Sequence, residues 1–174
     1  MRSGNHYKDL PKNLRFLVVV ASDTITSRKA KGEDLQDVSG EVATSLIIGA
    51  KFTVLDRVYL PNDISAIRKK VRSVAFEGHA DVIIISGGTG LGARDITVEA
   101  VTPLFDKALP GFGEFFRRLS YESVGTSAIA SRALAGIFNG VLVFALPGSP
   151  DAVRLALEKI ILPESPHLLK MIRR

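Results

Sequence analysis

The chain has 174 residues, a length for one domain with one sizeable core. Hydrophobic residues make up 46% and charged residues 24%, which excludes wholesale disorder, and zero cysteines exclude disulfide scaffolds, thiolate nucleophiles and cysteine-ligated metal sites. Lys and Arg total 23 against 18 Asp and Glu, and the resulting +5 suits an anionic ligand. The basic residues gather at both chain ends and at Arg28, Lys29 and Lys31, while the phenylalanines sit among apolar neighbours. Nucleic-acid surfaces interleave aromatic with basic residues, so nucleic acid is not the expected partner. No secretory signal is expected, since the first apolar run, from Leu14, is short and no clear cleavage site follows it, and no run reaches the roughly 18 apolar residues of a membrane span. A cytoplasmic protein is expected.

Residues 1–13 are polar, with Gly4, Asn5 and Pro11, and read as a flexible N-terminal arm. Residues 16–20 (Phe-Leu-Val-Val-Val) are continuously apolar, the pattern of a strand covered on both faces. The polar stretch 22–40 is long for a connection and reads as a functional or mobile loop. A helix over 39–48 follows, with Ser39 as its cap, and then a strand over 52–59. Ile64, Ile67, Val71, Val74 and Ala75 recur at three and four residues, which predicts an amphipathic helix from Asp63 to Gly78. Residues 82–85 (Val-Ile-Ile-Ile) give the clearest strand. Helices are expected over 96–108, 112–123, 127–137 and 151–161, a strand over 141–145, and a C-terminal tail over 163–174. Buried strands alternating with helices predict an α/β sandwich with a mostly parallel sheet, as one domain over 14–162. Ligands of such sheets bind at the carboxyl ends of the strands, so the loops after Ala21, Tyr59, Ile85 and Ala145 are the places for a site.

The strongest constellation is Ser86-Gly87-Gly88-Thr89-Gly90-Leu91-Gly92-Ala93-Arg94-Asp95, between the best strand and a helix. Four glycines in six residues let the backbone approach a ligand and aim N–H groups at it. Arg94 can clamp a phosphate or carboxylate, and Asp95 can hold Mg²⁺ through oxygen. Walker A spacing fails because Ala93 and Arg94 stand where Lys and Ser/Thr are required, and Gly88-Thr-Gly-Leu-Gly92 is not a dinucleotide fingerprint. A structural turn with a surface Arg94–Asp95 pair is the plain alternative. Pro147-Gly148-Ser149-Pro150-Asp151 follows the last strand as a rigid turn or a second wall of the same pocket. Ser22-Asp23-Thr24 could face that pocket too. Asn62-Asp63 and the Asp37–Gly40 segment are helix caps or site residues, and Ser131-Arg132 is an interface or ligand contact on an expected helix. His6, His79 and His167 are scattered, and no Ser-His-Asp order or G-x-S-x-G elbow occurs.

These motifs, with Pro110-Gly-Phe-Gly-Glu114, Gly125-Thr-Ser, Ser131-Arg-Ala-Leu-Ala-Gly136 and Leu146-Pro-Gly-Ser149, closely resemble the MoaB/MogA family of molybdenum cofactor biosynthesis proteins, over residues 14–162. The resemblance implies a three-layer molybdopterin-binding fold, a homotrimer or homohexamer, and Mg²⁺- and ATP-dependent adenylylation of molybdopterin with release of pyrophosphate. The resemblance also implies other molybdenum cofactor biosynthesis proteins as partners. It implies catalytic roles for Asp95, which also orients Mg²⁺, and for Asn62 or Asp63. It implies substrate contacts from Ser22, Asp23, Ser86, Gly87, Gly88, Thr89, Gly90, Arg94, Ser131, Arg132, Pro147, Gly148 and Ser149. Two departures stand out: Asn62 occupies a position where active members carry aspartate, and Val98 one that is often proline. A non-catalytic molybdopterin- or nucleotide-binding carrier is the alternative. Asp95 favours the enzyme and Asn62 favours the carrier.

Overall fold

The computed structural model describes residues 9–173, so residues 1–8 of the expected arm lie outside the described residues. Strand β1 (Arg15–Ala21) enters the molecule and is followed by helix α1 (Asp23–Ala30) and helix α2 (Val38–Gly49). Strand β2 (Thr53–Leu60), helix α3 (Ile64–Glu77) and strand β3 (Val82–Ser86) complete the first half. The second half holds α4 (Thr97–Val101), β4 (Lys107–Ala108), α5 (Pro110–Val124), β5 (Leu134–Phe138), β6 (Val141–Leu146), α6 (Pro150–Ala156) and α7 (Leu162–Ile172). One sheet runs in the order β2-β1-β3-β6-β5-β4. The four strands β2, β1, β3 and β6 are parallel, and β5 and β4 are antiparallel additions.

The continuous apolar runs divide by strand alternation. Phe16, Val18 and Val20 of β1, Val82 and Ile84 of β3 and Leu142, Phe144 and Leu146 of β6 pack into one core with α2, α5, α6 and α7. Leu17, Val19, Ile83, Ile85, Val143 and Ala145 point the other way, against α3 and α4. Helices on both faces explain why these strands carry no polar side. The mostly parallel three-layer α/β sandwich is the expected architecture.

Several elements differ from the sequence expectation. Helix α1 occupies the stretch expected as a loop; it buries no residue, so it lacks the apolar stripe that would announce it. Helix α2 is capped by Asp37, whose Oδ1 accepts from the Gly40 N–H at 2.8 Å, so Ser39 lies inside the helix instead of capping it. The helix expected over 96–108 ends at Val101 because Pro103 turns the chain into a 3₁₀ segment, Thr102–Leu104, and β4 follows. The helix expected over 127–137 is instead a 3₁₀ segment, Gly125–Ala130, and strand β5. Asn139 and Gly140, with φ of 48° and 77°, make the two-residue turn that pairs β5 with β6, and so override the helical reading. Ser131 and Arg132 therefore lie in an extended link and not on a helix. Residues 163–172 of the expected tail belong to α7, which buries Leu169. A π-helical turn over Leu157–Ile161 joins it to α6 ahead of Pro163, which has no N–H to give to an α ladder. Among the described residues no helix is long and apolar enough to cross a membrane.

Candidate functional site

The parallel strands end at one edge, with Ala21 beside Leu60, and Ser86 beside both Val20 and Leu146. After β1 the chain pairs β2 on one side and β3 on the other, so this edge holds a topological switch point. The glycine loop leaves β3 there. The Gly87 N–H donates to the Leu146 carbonyl at 3.0 Å, and a Cβ on Gly87 would sit 2.3 Å from the Ala21 carbonyl oxygen. Its φ is 101° and that of Gly88 is 65°, so both positions demand glycine twice over, for conformation and for space. Thr97 fastens the loop: its N–H donates to Gly88 O and its Oγ1 to Gly87 O, both at 2.8 Å. Thr97 is fully buried; it lies at the end of the motif that carries the family resemblance, but sequence spacing alone assigns it no role.

Asp23, just after β1, is the hub of the edge. Its Oδ1 accepts from the Asn62 backbone N–H at 3.0 Å, and its Oδ2 from Arg94 Nη2 at 2.6 Å and Nε at 2.9 Å. Asn62 Nδ2 adds a longer contact of 3.4 Å. The Asn62 backbone donor, and then the Arg94 guanidinium, hold the Asp23 carboxyl below its ordinary range. Arg94 thus pairs with Asp23 across 71 residues, and not with its neighbour Asp95. Asp95 turns back on the loop, where its Oδ2 accepts from Gly92 N–H at 3.0 Å. A Cβ at Gly90 would approach that same oxygen to 2.6 Å, so the loop's small residues leave the carboxylate its room.

Asn62 and Asp63 have parted roles. Asp63 caps α3, its Oδ1 accepting from Ala66 N–H at 2.7 Å, and is exposed. Asn62 faces Asp23 and the glycine loop, and its Oδ1 is buried without a hydrogen-bond partner among the described residues. Ser86 Oγ is likewise buried and unpartnered. Such atoms cost free energy unless something else satisfies them.

Two clefts open at this edge, the first reaching the end of the glycine loop at Arg94 and the second the Pro147–Ser149 turn. A polar one of about 690 Å³ is lined by Ser22, Asp23, Asn62 and Arg94, together with Arg28 and Lys31 of the α1 region. A more apolar one of about 590 Å³ is lined by Ser131, Pro147 and Ser149, with Phe116, Val124 and Leu155. Ser149 caps α6 by accepting from Ala152 N–H at 3.3 Å, and a Cβ on Gly148 would stand 3.3 Å from Gly87 Cα, so the two turns meet between the clefts. Thr89 is buried within the loop. Arg132 lies apart, in a third hollow of about 280 Å³, paired with Glu99.

Switch point, glycine loop and flanking clefts define the class: a three-layer α/β protein of the MoaB and MogA kind. A crystal structure of molybdenum cofactor biosynthesis protein B superposes with a TM-score of 0.85 at 39% identity, covering 94% of this chain and 98% of that one. The family model described as a probable molybdopterin binding domain matches residues 17–167, and the chain belongs to that family. Molybdenum cofactor biosynthesis protein B of Bacillus subtilis (strain 168) is 39% identical over 170 residues, 97% of this chain and 96% of its own length. A probable molybdopterin adenylyltransferase of Methanocaldococcus jannaschii is 39% identical over 162 residues, 93% of this chain and 96% of its own.

Proposed function

We propose that the protein serves molybdenum cofactor biosynthesis as a molybdopterin adenylyltransferase, a nucleotidyltransferase using ATP and Mg²⁺. An oxygen of molybdopterin's terminal phosphate attacks the α-phosphorus of ATP. The bond from that phosphorus to the bridging oxygen breaks, and its electron pair leaves with pyrophosphate. The observation that carries this reading is the glycine loop at the switch point, with buried acceptors left unsatisfied beside it. Gly87 and Gly88 bring backbone close to the phosphates, and Arg94, paired with Asp23 through Nε and Nη2, keeps Nη1 to offer a phosphate oxygen.

The donor chemistry fits a hard cation. Asp95 offers a carboxylate held by the Gly92 N–H, and Asn62 offers a buried amide oxygen with no other partner among the described residues. No group of three or more His or acidic residues that could hold a metal occurs among the described residues, so phosphate oxygens would complete the coordination. Mg²⁺ held there would neutralise charge developing on the phosphoryl oxygens. No enzyme nucleophile is required. Asp95→Asn should lower single-turnover adenylylation by about 10²-fold or more while molybdopterin binding stays within a few-fold. Equal loss of both would reassign Asp95 to binding.

A second reading, a non-catalytic molybdopterin or nucleotide carrier, is favoured by Asn62 facing the site where a carboxylate would serve the metal better. The same proposal includes a cytoplasmic location and a homotrimer or homohexamer, with other cofactor-biosynthesis proteins as partners. Exposed Tyr121, Val124 and Ile129 at the end of α5 and the turn after it supply apolar surface for such an assembly.

A further inference from the structure

The polar cleft contains two cations with no catalytic assignment. Arg28 and Lys31 stand three residues apart at the end of α1 and line the cleft that also holds Asp23, Asn62 and Arg94. Lys29, between them in sequence, turns elsewhere and lies 4.8 Å from the centre of the Tyr59 ring. Asp23 is already engaged by Arg94, so it does not neutralise the other two. Glu33 on the rim is the one further carboxylate among the lining residues. Hydroxyls of Ser22, Thr24 and Ser27 fill out the wall, and none of the lining residues is aromatic. A flat ring has no apolar wall here, whereas the cleft beside the Pro147–Ser149 turn offers Val124 and Leu155, with Phe116 buried behind them.

We infer that Arg28 and Lys31 form a subsite for the β- and γ-phosphates of the nucleotide, and hence for the departing pyrophosphate. The inference rests on the adenylyltransferase reading. With the α-phosphorus at the glycine loop, one cleft takes the ring-bearing side of the reactants and the other the polyphosphate side. As the bond from the α-phosphorus breaks, its electron pair settles on the pyrophosphate oxygen, and the guanidinium and ammonium groups meet that charge. A purely structural role exists for comparison: basic residues in the last turn of α1 also complement the helix dipole. That role would affect stability and leave anion affinity unchanged.

The test is calorimetric titration of the full chain with inorganic pyrophosphate and, separately, with AMP, each in Mg²⁺ buffer. Arg28→Ala/Lys31→Ala should weaken pyrophosphate binding by about fivefold or more, a size suited to two exposed charges, with AMP binding within about twofold. Lys29→Ala removes a neighbouring positive charge outside the cleft and should change neither. Absence of pyrophosphate binding to the parent protein would overturn the subsite. So would unchanged affinity in the double variant, equal weakening of AMP, or as large an effect from Lys29→Ala. An assay of adenylyl-molybdopterin formation separates the two claims. Product formation with unaltered pyrophosphate affinity would remove the subsite and keep the reaction. Pyrophosphate binding through Arg28 and Lys31 without product would keep the subsite and remove the reaction.

Discussion

At the N-terminal edge of the sheet Asp81 is 5% exposed and fully engaged, whereas at the C-terminal edge Asn62 Oδ1 and Ser86 Oγ are buried with no hydrogen-bond partner among the described residues. Asp81 Oδ2 accepts from the Arg15 backbone N–H at 2.8 Å and Nε at 3.2 Å, and Oδ1 from Arg15 Nη2 at 3.1 Å and Arg173 Nη2 at 2.6 Å. One carboxylate thus ties β1, the start of β3 and the end of α7 together. Burial pushes its pKa up, but the Arg15 side-chain and backbone bonds outweigh that, with Arg173 adding to them, and the net direction is downward. The opposite edge spends its special residues otherwise, on positive-φ glycines, an exposed arginine and unpartnered acceptors. A satisfied polar cluster holds a fold together, while an unsatisfied one beside an open cleft is matched to a ligand.

The sharpest way to break the contrast is Gly88→Ala. Its Cβ would sit 2.4 Å from Thr97 Oγ1 and 2.9 Å from Asn62 Oδ1, on a backbone with φ of 65°. Adenylylation should fall by about 10²-fold or more, because a misplaced phosphate loop loses the reacting geometry. Steady-state rates, with circular dichroism to confirm folding, check it. Near-normal turnover would show that the loop does not position substrate.

Next in size is Asp81→Ala, which should destabilise the fold by about 2–3 kcal/mol, since it strands the Arg15 backbone N–H and removes the arginine contacts. Because the folded pKa of Asp81 is lowered, its contribution is complete above the unfolded value of about 3.9 and is lost as pH falls through the folded value. Urea titrations should therefore show the parent and variant converging in strong acid and parallel at neutral pH. Ligand binding should change little, which keeps the two edges distinct.

A smaller effect is expected from Asn62→Asp. It places a carboxylate beside Asp23 and gives up the Asn62 amide donor. Like charge raises a carboxyl pKa, so the variant should lose about 1 kcal/mol at neutral pH and recover part of it as the pH falls and one carboxyl is protonated. Added Mg²⁺ should restore stability if this position faces the metal. A melting-temperature series with and without Mg²⁺ reads this directly.

Much of the fold is legible in the sequence for a physical reason. β1, β3 and β6 are buried on both faces and must be apolar throughout, and α3 carries one clean apolar stripe. β5 is not legible in that way: its Leu-Ala-Gly-Ile-Phe lacks β-branched density, and only the Asn139-Gly140 turn betrays the hairpin. α1 hides because it buries no residue fully and sets only Ile25 against the core, too little for an apolar stripe. The glycine loop announces itself by composition. The Arg94–Asp23 pair spans 71 residues and depends on β1 lying beside β3, so no local pattern could show it. The division of labour between Asn62 and Asp63 is set by the tertiary fold, since either residue type could cap α3.

The central claim is that the C-terminal edge transfers an adenylyl group. The most direct measurement is a single turnover of purified protein with molybdopterin and Mg²⁺-ATP, following adenylyl-molybdopterin and pyrophosphate together. The account predicts both products in equal amounts, in the presence of Asn62 as it stands. Tight molybdopterin binding with neither product would contradict it and leave a carrier.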